Sequence, residues 1–338
     1  MNTKVIGIGL LVLLGVGAVV FLGKGKVETK INDKVFTQIK ALESKFKGDG
    51  TITLKKEDIQ CEVTSSINCV IKNIVVDNKL STTKMDKVII TNIKAIADFD
   101  TAIKSLKDNK KVSIKNNIGL EIQGLTMVGK QNIKELQDVK FDKIIINADL
   151  DITDNISNNI EASIKTEGVI VTKFDKKQKM PNANISLKNS KSGTDISFSN
   201  ENFAVKANTK EDLTDFTNTL SIQQKMSDIN KINATLSFNK PLLEMEKTFL
   251  ELVENNGLSP KMLEGIKKQM DVVNKTIANK EVFVPNTRKT FPQYTKMVGQ
   301  AGFSLKNKDA DLEKLLSYIV GDTKLITISL SQKAIEIK

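Results

Sequence analysis

Apolar and polar residues alternate with a period of two through most of the chain between residues 49 and 239. Such alternation predicts β-strands with one apolar and one polar face, and the short clusters of Asn, Asp, Ser and Gly between them predict turns joining antiparallel neighbours. The pattern therefore predicts a long, curved antiparallel meander sheet. The candidate apolar face consists of Ile144, Ile146, Leu150, Ile152, Ile160, Ile164, Ile170 and Phe174.

The phase of this alternation changes at Gly124. Apolar residues occupy even positions up to Ile122 and odd positions from Leu125 onward. Because one extra residue in a strand produces such a shift, the pattern predicts a β-bulge at Gly124.

Residues 240–280 show the spacing of threes and fours that is typical of helices, and they predict a helical hairpin. Ser259 and Pro260 are suited to the N-cap and first residue of its second helix. We expect an apolar stripe of this helix to cover the apolar sheet face. The stripe consists of Ile266, Met270, Val273 and Ile277. Residues 281–338 predict an extended, Pro-containing connection, a short helix and a final strand from Leu325 to Ile337.

An uncharged apolar run extends from Val5 to Leu22 near the N-terminus. At a rise of about 1.5 Å per residue it is roughly 27 Å long as a helix, which is enough to cross a thin bilayer core. A cleaved secretory signal is the alternative, but the run continues into Gly23 and Lys24 without a clean A-x-A cleavage site. We therefore interpret the run as a membrane anchor that leads into a juxtamembrane helix.

These elements predict an α+β protein with an N-terminal transmembrane helix and a β-rich ectodomain, whose sheet is covered by the helical hairpin. The predicted regions are a cytoplasmic tail (1–4), a transmembrane anchor (5–23), a juxtamembrane helix (24–48), an antiparallel β-rich region (49–239), the helical hairpin (240–280) and a C-terminal extended segment, short helix and strand (281–338).

Cys61 and Cys69 are the two cysteines of the chain. They lie in a segment that resembles strand, turn and strand, and a turn centred on Ser65 would place them opposite each other, which predicts a disulfide. A disulfide implies an oxidising compartment. The alternative is a pair of reduced, buried thiols.

The composition excludes several kinds of catalysis. The chain has no His, which rules out Ser-His-Asp and Cys-His mechanisms and His-ligated metals. Asp149, Asp151 and Asp154 form the best acidic cluster, but they lack the spacing of a calcium loop. We therefore expect no catalytic residues, no metal site and no cofactor, and we interpret the protein as non-enzymatic.

The net charge is +11, yet Arg288 is the only arginine, so the basic charge is almost entirely lysine. Arginine is the commonest residue that contacts bases in a bidentate manner, and aromatic residues suited to stacking are few. Nucleic acid is therefore disfavoured as a partner, and a dispersed lysine surface is more typical of solvation or of attraction to anionic lipid headgroups.

The junction GKGKVETKINDKVFTQIKALES and the C-terminal stretches TKMVGQAGFSLKN and LITISLSQKAIEIK resemble the YdgA-type family of inner-membrane-anchored periplasmic proteins. The arrangement of one anchor followed by a one-faced sheet is also loosely similar to AsmA-like envelope proteins. The resemblance implies a bacterial inner-membrane protein with a single span and its C-terminal domain in the periplasm. The positive-inside rule opposes this orientation, because Lys24, Lys26 and Lys30 follow the anchor.

Two hypotheses for function follow. In the first, an envelope protein anchored in the inner membrane contacts or carries lipid on an open apolar sheet face. In the second, it is a structural or assembly partner of other envelope proteins, and its core is sealed. An open apolar face distinguishes the first from the second.

Overall fold

The computed structural model describes residues 28–41, 43, 50–64, 66–93, 114–130, 138–153, 156–173, 176–190, 192–210, 232–255 and 260–338. The chain divides into two compact units: described residues before 191 belong to the first, and those from 192 onward to the second. The predicted β-rich region 49–239 is therefore shared between two units.

The first unit is a long antiparallel sheet, as predicted, and its described residues include one α-helix that precedes the sheet in the chain. The helix is α1 (Glu28–Ala41). The strands are β1 (Gly50–Thr53), β2 (Ile59–Val63), β3 (Ile67–Asn78), β4 (Ser81–Ile93), β5 (Ile114–Gly129), β6 (Asp138–Thr153), β7 (Ile156–Glu167), β8 (Ile170–Lys173), β9 (Lys176–Lys179) and β10 (Ala183–Ser190). They pair in the order β1-β3-β4-β5-β6-β7-β10, with β2 beside β3 and the β8–β9 hairpin beside β6.

The core of this unit lies between α1 and the apolar face of β1 to β5. Val35 and Ile39 of α1 are fully buried in it. The carboxylate of Glu43 accepts hydrogen bonds from Lys40 Nζ at 2.7 Å and from the backbone N–H of Ile52 at 2.6 Å, which ties the end of α1 to β1. These two hydrogen bonds lower the pKa of Glu43.

A row of backbone irregularities crosses the sheet at right angles to the strands. Asn73, Gly124 and Gly168 adopt positive φ angles of 54°, 63° and 61°. By the strand register, Asp86 stands between Asn73 and Gly124, and Asp142 stands between Gly124 and Gly168. The row thus includes one residue from each of five neighbouring strand segments: Asn73, Asp86, Gly124, Asp142 and Gly168.

At this row each strand presents two consecutive residues to the polar face. Ile71 and Ile74 are both buried, as are Ile122 and Leu125, so the apolar face continues on opposite parity beyond the row. The predicted change of phase at Gly124 is therefore present, but a β-bulge is not. The pairing of β5 with β4 and with β6 keeps one register across Gly124. No extra residue is inserted, because all three strands change the side of their apolar residues at the same row.

We expect Gly124→Ala to destabilise the sheet. A side chain at φ 63° costs about 1–2 kcal/mol, and the carboxylate of Asp86 occupies the place of the added Cβ atom. Gly299→Ala is the matched control, because nothing lies within 4 Å of a Cβ atom there. Thermal unfolding followed by circular dichroism should show a lower midpoint for Gly124→Ala and no loss for Gly299→Ala. Equal midpoints for the two variants would contradict the conclusion that a side chain at residue 124 is strained.

The second unit has a smaller sheet and a set of helices. Its strands are β11 (Gly193–Asn200), β12 (Phe203–Thr209), β13 (Ile232–Phe238), β14 (Ser304–Leu305), β15 (Ile326–Ser331) and β16 (Ala334–Ile337). They pair in the order β11-β12-β13-β15-β16-β14, antiparallel except for β14 with β16. Its helices are α2 (Leu242–Asn255), α3 (Pro260–Ala278), α4 (Lys280–Gln300) and α5 (Lys308–Ile319).

Two sequence predictions for the C-terminal region are wrong in detail. The predicted extended connection after residue 280 is helix α4, which contains Pro285 and Pro292. The predicted final strand is a hairpin of β15 and β16, whose turn residues Gln332 and Lys333 both have positive φ. Neither residue type is typical of such a turn, so the sequence pattern does not reveal it.

The core of the second unit lies at the corner where α2 and α5 meet the sheet. Tyr318, Ile326 and Ile337 are buried there. The hydroxyl of Tyr318 donates a hydrogen bond to the carbonyl oxygen of Lys240 at 2.9 Å, and burial raises the pKa of this hydroxyl. The phenol ring stacks on Phe238 with the ring centroids 6.0 Å apart.

Candidate functional site

One row of apolar side chains crosses the first unit from a closed end to an open end. By register, Ile90 of β4 pairs with Leu120, Leu120 with Ile146, Ile146 with Ile164, and Ile164 with Ile185 of β10. Ile90 is 0% exposed, whereas Ile164 is 39% and Ile185 is 45% exposed. The apolar face is therefore sealed at β4 and accessible at β7 and β10.

We call the part of this surface that lies on β6, β7 and β10 the open apolar face. It consists of Phe141, Ile144, Ile146, Ala148 and Leu150 of β6; Ile160, Ala162, Ile164 and Thr166 of β7 with Val169 beyond it; and Ala183, Ile185, Leu187 and Asn189 of β10. None of these residues is charged. Polar groups that could orient a ligand are limited to Thr166 and Asn189. Asn189 is buried and already engaged, and the hydroxyl of Thr166 accepts a hydrogen bond from the backbone N–H of Ala183 at 3.2 Å.

The closed end of the row contains the cysteine pair. Cys61 and Cys69 stand directly opposite each other in β2 and β3, and their Sγ atoms are 2.05 Å apart, which is the predicted disulfide. Cys69 in turn pairs with Ile90. Both cysteines are buried beneath α1, where Asn32 Oδ1 accepts a hydrogen bond from the N–H of Cys61 at 3.0 Å. The disulfide thus belongs to the sealed core and not to the open apolar face.

The predicted apolar face is largely brought together, with specific exceptions. Ile144, Ile146, Leu150, Ile160 and Ile164 share the open apolar face. Ile152 lies in β6 opposite Ile114. Phe174 lies outside the described residues.

Ile170 is a correction. It pairs with the exposed Lys140 on one side and with the exposed Lys179 on the other, so it lies on the polar face. The reason is the change of phase at Gly168, which places Val169 on the apolar face instead. Ile185 and Leu187 of β10 also lie on this face, opposite Ile164 and Ala162, although the alternation of their segment was not included in the predicted face.

The opposite face of the same strands is covered by paired charges. The ion pairs are Glu121–Lys143 at 3.3 Å, Lys165–Glu167 at 2.7 Å and Glu161–Lys188 at 2.6 Å. The hydrogen bond from Lys188 lowers the pKa of Glu161, and that from Lys165 lowers the pKa of Glu167. These carboxylates are therefore ionised partners of neighbouring lysines.

No group of His, Cys, Asp or Glu suited to a metal ion occurs among the described residues. In the acidic cluster considered above, Asp151 pairs with Lys115 at 3.4 Å, and Asp154 lies outside the described ranges. Arg288, the single arginine, donates two hydrogen bonds to the carboxylate of Glu313 in a bidentate arrangement, with nitrogen–oxygen distances of 3.0 and 2.8 Å. That contact joins α4 to α5 and engages the guanidinium group within the protein.

The second unit shows a similar gradient of burial by itself. Phe198 pairs with Val205, Val205 with Leu236, Leu236 with Ile328, and Ile328 with Ile337. Ile337 is buried, whereas the other four are half-buried. The helices of this unit therefore close one corner of its apolar face.

The helix predicted to cover the sheet, α3, packs against α2. Asn274 donates a hydrogen bond to Glu246 of α2 at 2.7 Å, and Lys267 lies 3.5 Å from Glu254. Ile266, Met270 and Ile277 share this side of the helix and are half-buried, but Val273 is exposed. The place predicted for Val273 on the buried stripe is taken by Asn274.

Within the described ranges, no helix combines the length and apolar character that a membrane span requires. The predicted anchor, Val5 to Leu22, lies outside those ranges. Comparisons of the chain with protein-family models, with curated proteins and with solved structures gave no match.

Proposed function

We propose that this protein is a non-enzymatic component of the bacterial cell envelope that binds lipid acyl chains on the open apolar face. The observation that carries the proposal is the row from Ile90 to Ile185, along which exposure rises from 0% to 45% without any change from apolar to polar side chains. A face that remains uniformly apolar where it is accessible is suited to an apolar ligand.

The chemistry of the face favours an acyl chain over a metabolite. Binding sites for small polar molecules place a few polar groups to fix the orientation of the ligand. The open apolar face offers no charge, and its two polar members, Thr166 and Asn189, are already hydrogen-bonded. Each methylene group buried contributes about 0.8 kcal/mol, so a long hydrocarbon chain gains affinity without headgroup contacts.

The proposed location is the inner membrane, with a single span at residues 5–23 and the C-terminal domain in the periplasm. The apolar run and the resemblance to the YdgA-type family support it, and a disulfide such as Cys61–Cys69 persists in an oxidising compartment. Only four residues, Lys24 to Val27, separate this proposed span from α1. Because α1 packs on the sheet through Val35 and Ile39, the first unit would lie close to the bilayer.

Site-specific photocrosslinking tests the proposal in the full-length protein in cells. A photoreactive phenylalanine analogue replaces Ile164 or Ile185 on the open apolar face. The matched controls are Lys165, which follows Ile164, and Asn184, which precedes Ile185. These two residues pair with each other in the sheet and point to the polar face. We expect lipid adducts, detected by mass spectrometry, at Ile164 and Ile185 and none at the two controls.

The other outcomes are equally informative. Adducts with a protein at Ile164 and Ile185 would support an assembly partner in place of lipid. Absence of adducts at these positions, or equal labelling at Lys165 and Asn184, would contradict the acyl-chain proposal.

A further inference from the structure

The open apolar face contains a depression. It is formed by a row of four side chains that crosses β5, β6, β7 and β10. In order across the strands, the row consists of Ile118, Ala148, Ala162 and Leu187. The rows on either side, two residues away along each strand, carry larger side chains. They are Ile146 with Ile164, and Leu150 with Ile160. Because side chains stand roughly perpendicular to a sheet, the two alanines form a floor that larger apolar side chains surround on all four sides.

The second unit carries the same arrangement by itself. One row crosses β11, β12, β13 and β15 with the same order of residue types as the row in the first unit. It consists of Ile196, Ala207, Ala234 and Leu330. The rows two residues away carry Val205 with Leu236, and Thr209 with Ile232. Ala207 and Ala234 therefore form the floor of a second depression.

Both depressions are accessible to solvent. All four alanines are half-buried. Ile164 and Ile196, which border the two floors, are 39% and 38% exposed. In a closed core, side chains fill such spaces to the density of an organic crystal. A depression that stays accessible within an apolar face has instead the form of a ligand site.

The chemistry and the width of the depressions indicate what they bind. The first is lined entirely by aliphatic side chains, and the second adds one hydroxyl group, that of Thr209. A polypeptide segment would bring backbone N–H and C=O groups into a lining that offers them almost no partner, which is costly. The bounding rows are about 13 Å apart at their Cα atoms, and their side chains occupy part of that width, so a helix about 10–12 Å wide does not enter. A hydrocarbon chain is as narrow as one aliphatic side chain and needs no polar partner.

We propose that each unit binds one hydrocarbon chain over its pair of alanines, so that the second unit has an acyl-chain site of its own. The site over Ala148 and Ala162 rests on the proposed function and gives the acyl chain its position on the open apolar face. The site over Ala207 and Ala234 goes beyond that function, because it belongs to a different unit with a separate core.

Filling the alanine floors tests the proposal. In the full-length protein in cells, a photoreactive phenylalanine analogue at Ile196 reports on the second unit, and one at Ile164 reports on the first. We expect lipid adducts at Ile196, detected by mass spectrometry, and about tenfold fewer after Ala234→Phe, because the added ring displaces about two methylene groups of bound chain. Adducts at Ile164 should be unchanged by Ala234→Phe and reduced about tenfold by Ala162→Phe.

Two further variants separate loss of binding from loss of folding. Ala207→Phe fills the second floor from the neighbouring strand and should have the same effect as Ala234→Phe. Ala204→Phe is the matched control, because Ala204 lies in β12 on the opposite face, where it pairs with Ser237. It should leave the adducts at Ile196 unchanged. Circular dichroism should show similar unfolding midpoints for all three variants, since the depression is open.

The possible failures are distinguishable. Adducts at Ile164 without adducts at Ile196 would overturn the second site and leave the proposed function in place. Absence of lipid adducts at both positions would contradict the proposed function as well. Adducts at Ile196 that survive both Ala207→Phe and Ala234→Phe would contradict the alanine floor as the binding site. A much lower unfolding midpoint for these two variants than for Ala204→Phe would also contradict it, because it would indicate a space that the protein itself fills.

Discussion

Replacing Ile90 with alanine should lower the free energy of unfolding by about 2–5 kcal/mol, because the side chain is 0% exposed and its loss leaves a cavity in the core under α1. Ile185→Ala is the matched control. It removes the same atoms from the same row of the sheet, but Ile185 is 45% exposed, so the loss should be below about 1.5 kcal/mol. Chemical denaturation of both variants, followed by circular dichroism, measures the difference.

This pair of variants also tests the basis of the proposed function. If Ile185→Ala costs as much as Ile90→Ala, the apolar face is sealed at β10 as it is at β4. The protein would then have an ordinary closed core, and a structural or assembly role would be favoured over acyl-chain binding. A large difference between the two variants would support the open apolar face independently of any ligand.

The alternation of apolar and polar residues correctly predicted strands in the first unit, but it did not predict correctly which face of the sheet every residue occupies. Ile160 and Ile164 lie on the apolar face as predicted, whereas Ile170 lies on the polar face beyond Gly168. The change of phase depends on the backbone conformation of Gly168 and on its neighbour Asp142. The sequence pattern is ambiguous at this point, because Val169, Ile170 and Val171 are three consecutive apolar residues.

Helical periodicity has a similar limit in the second unit. It correctly indicated α3, and it placed Ile266 and Met270 on a common side. It could not indicate which of the adjacent residues Val273 and Asn274 would be turned toward α2, because the hydrogen bond from Asn274 to Glu246 depends on the packing of two helices. Val273 is therefore left exposed on α3.

Proline content misled the prediction for α4. Pro285 and Pro292 lack the N–H group of a helical hydrogen bond, so their segment looked extended. In the structure the helix continues through both of them. Two ion pairs connect its side chains to neighbouring elements. Arg288 pairs with Glu313, and Lys280 Nζ lies 2.7 Å from Asp322 Oδ1. Exposed ion pairs of this kind contribute less than the roughly 3 kcal/mol that one proline costs inside a helix, so they do not by themselves explain why the helix continues.

Asp311 is a buried carboxylate that sequence analysis did not single out. It lies in the first turn of α5, where an acidic residue is ordinarily exposed and interacts with the helix dipole. Here it is 0% exposed. Its Oδ1 atom accepts a hydrogen bond from the N–H of Ile337 at 3.0 Å, and its Oδ2 atom accepts one from the N–H of Asn307 at 3.1 Å. The side chain thus joins the start of α5 to the last strand of the second unit.

We expect Asp311→Ala to lower the free energy of unfolding of the second unit by about 2–4 kcal/mol, because two charge-assisted hydrogen bonds are lost and two backbone N–H groups lose their acceptor. Asp311→Asn should fall between the variant and the wild type, since an amide has one acceptor oxygen in place of two. Asp309→Ala is the control: this exposed acid in the same turn contributes only a dipole interaction of about 0.3–1 kcal/mol. Denaturant titration ranks the three variants, and equal losses for Asp309→Ala and Asp311→Ala would show that the carboxylate acts through the helix dipole and not as a link between α5 and β16.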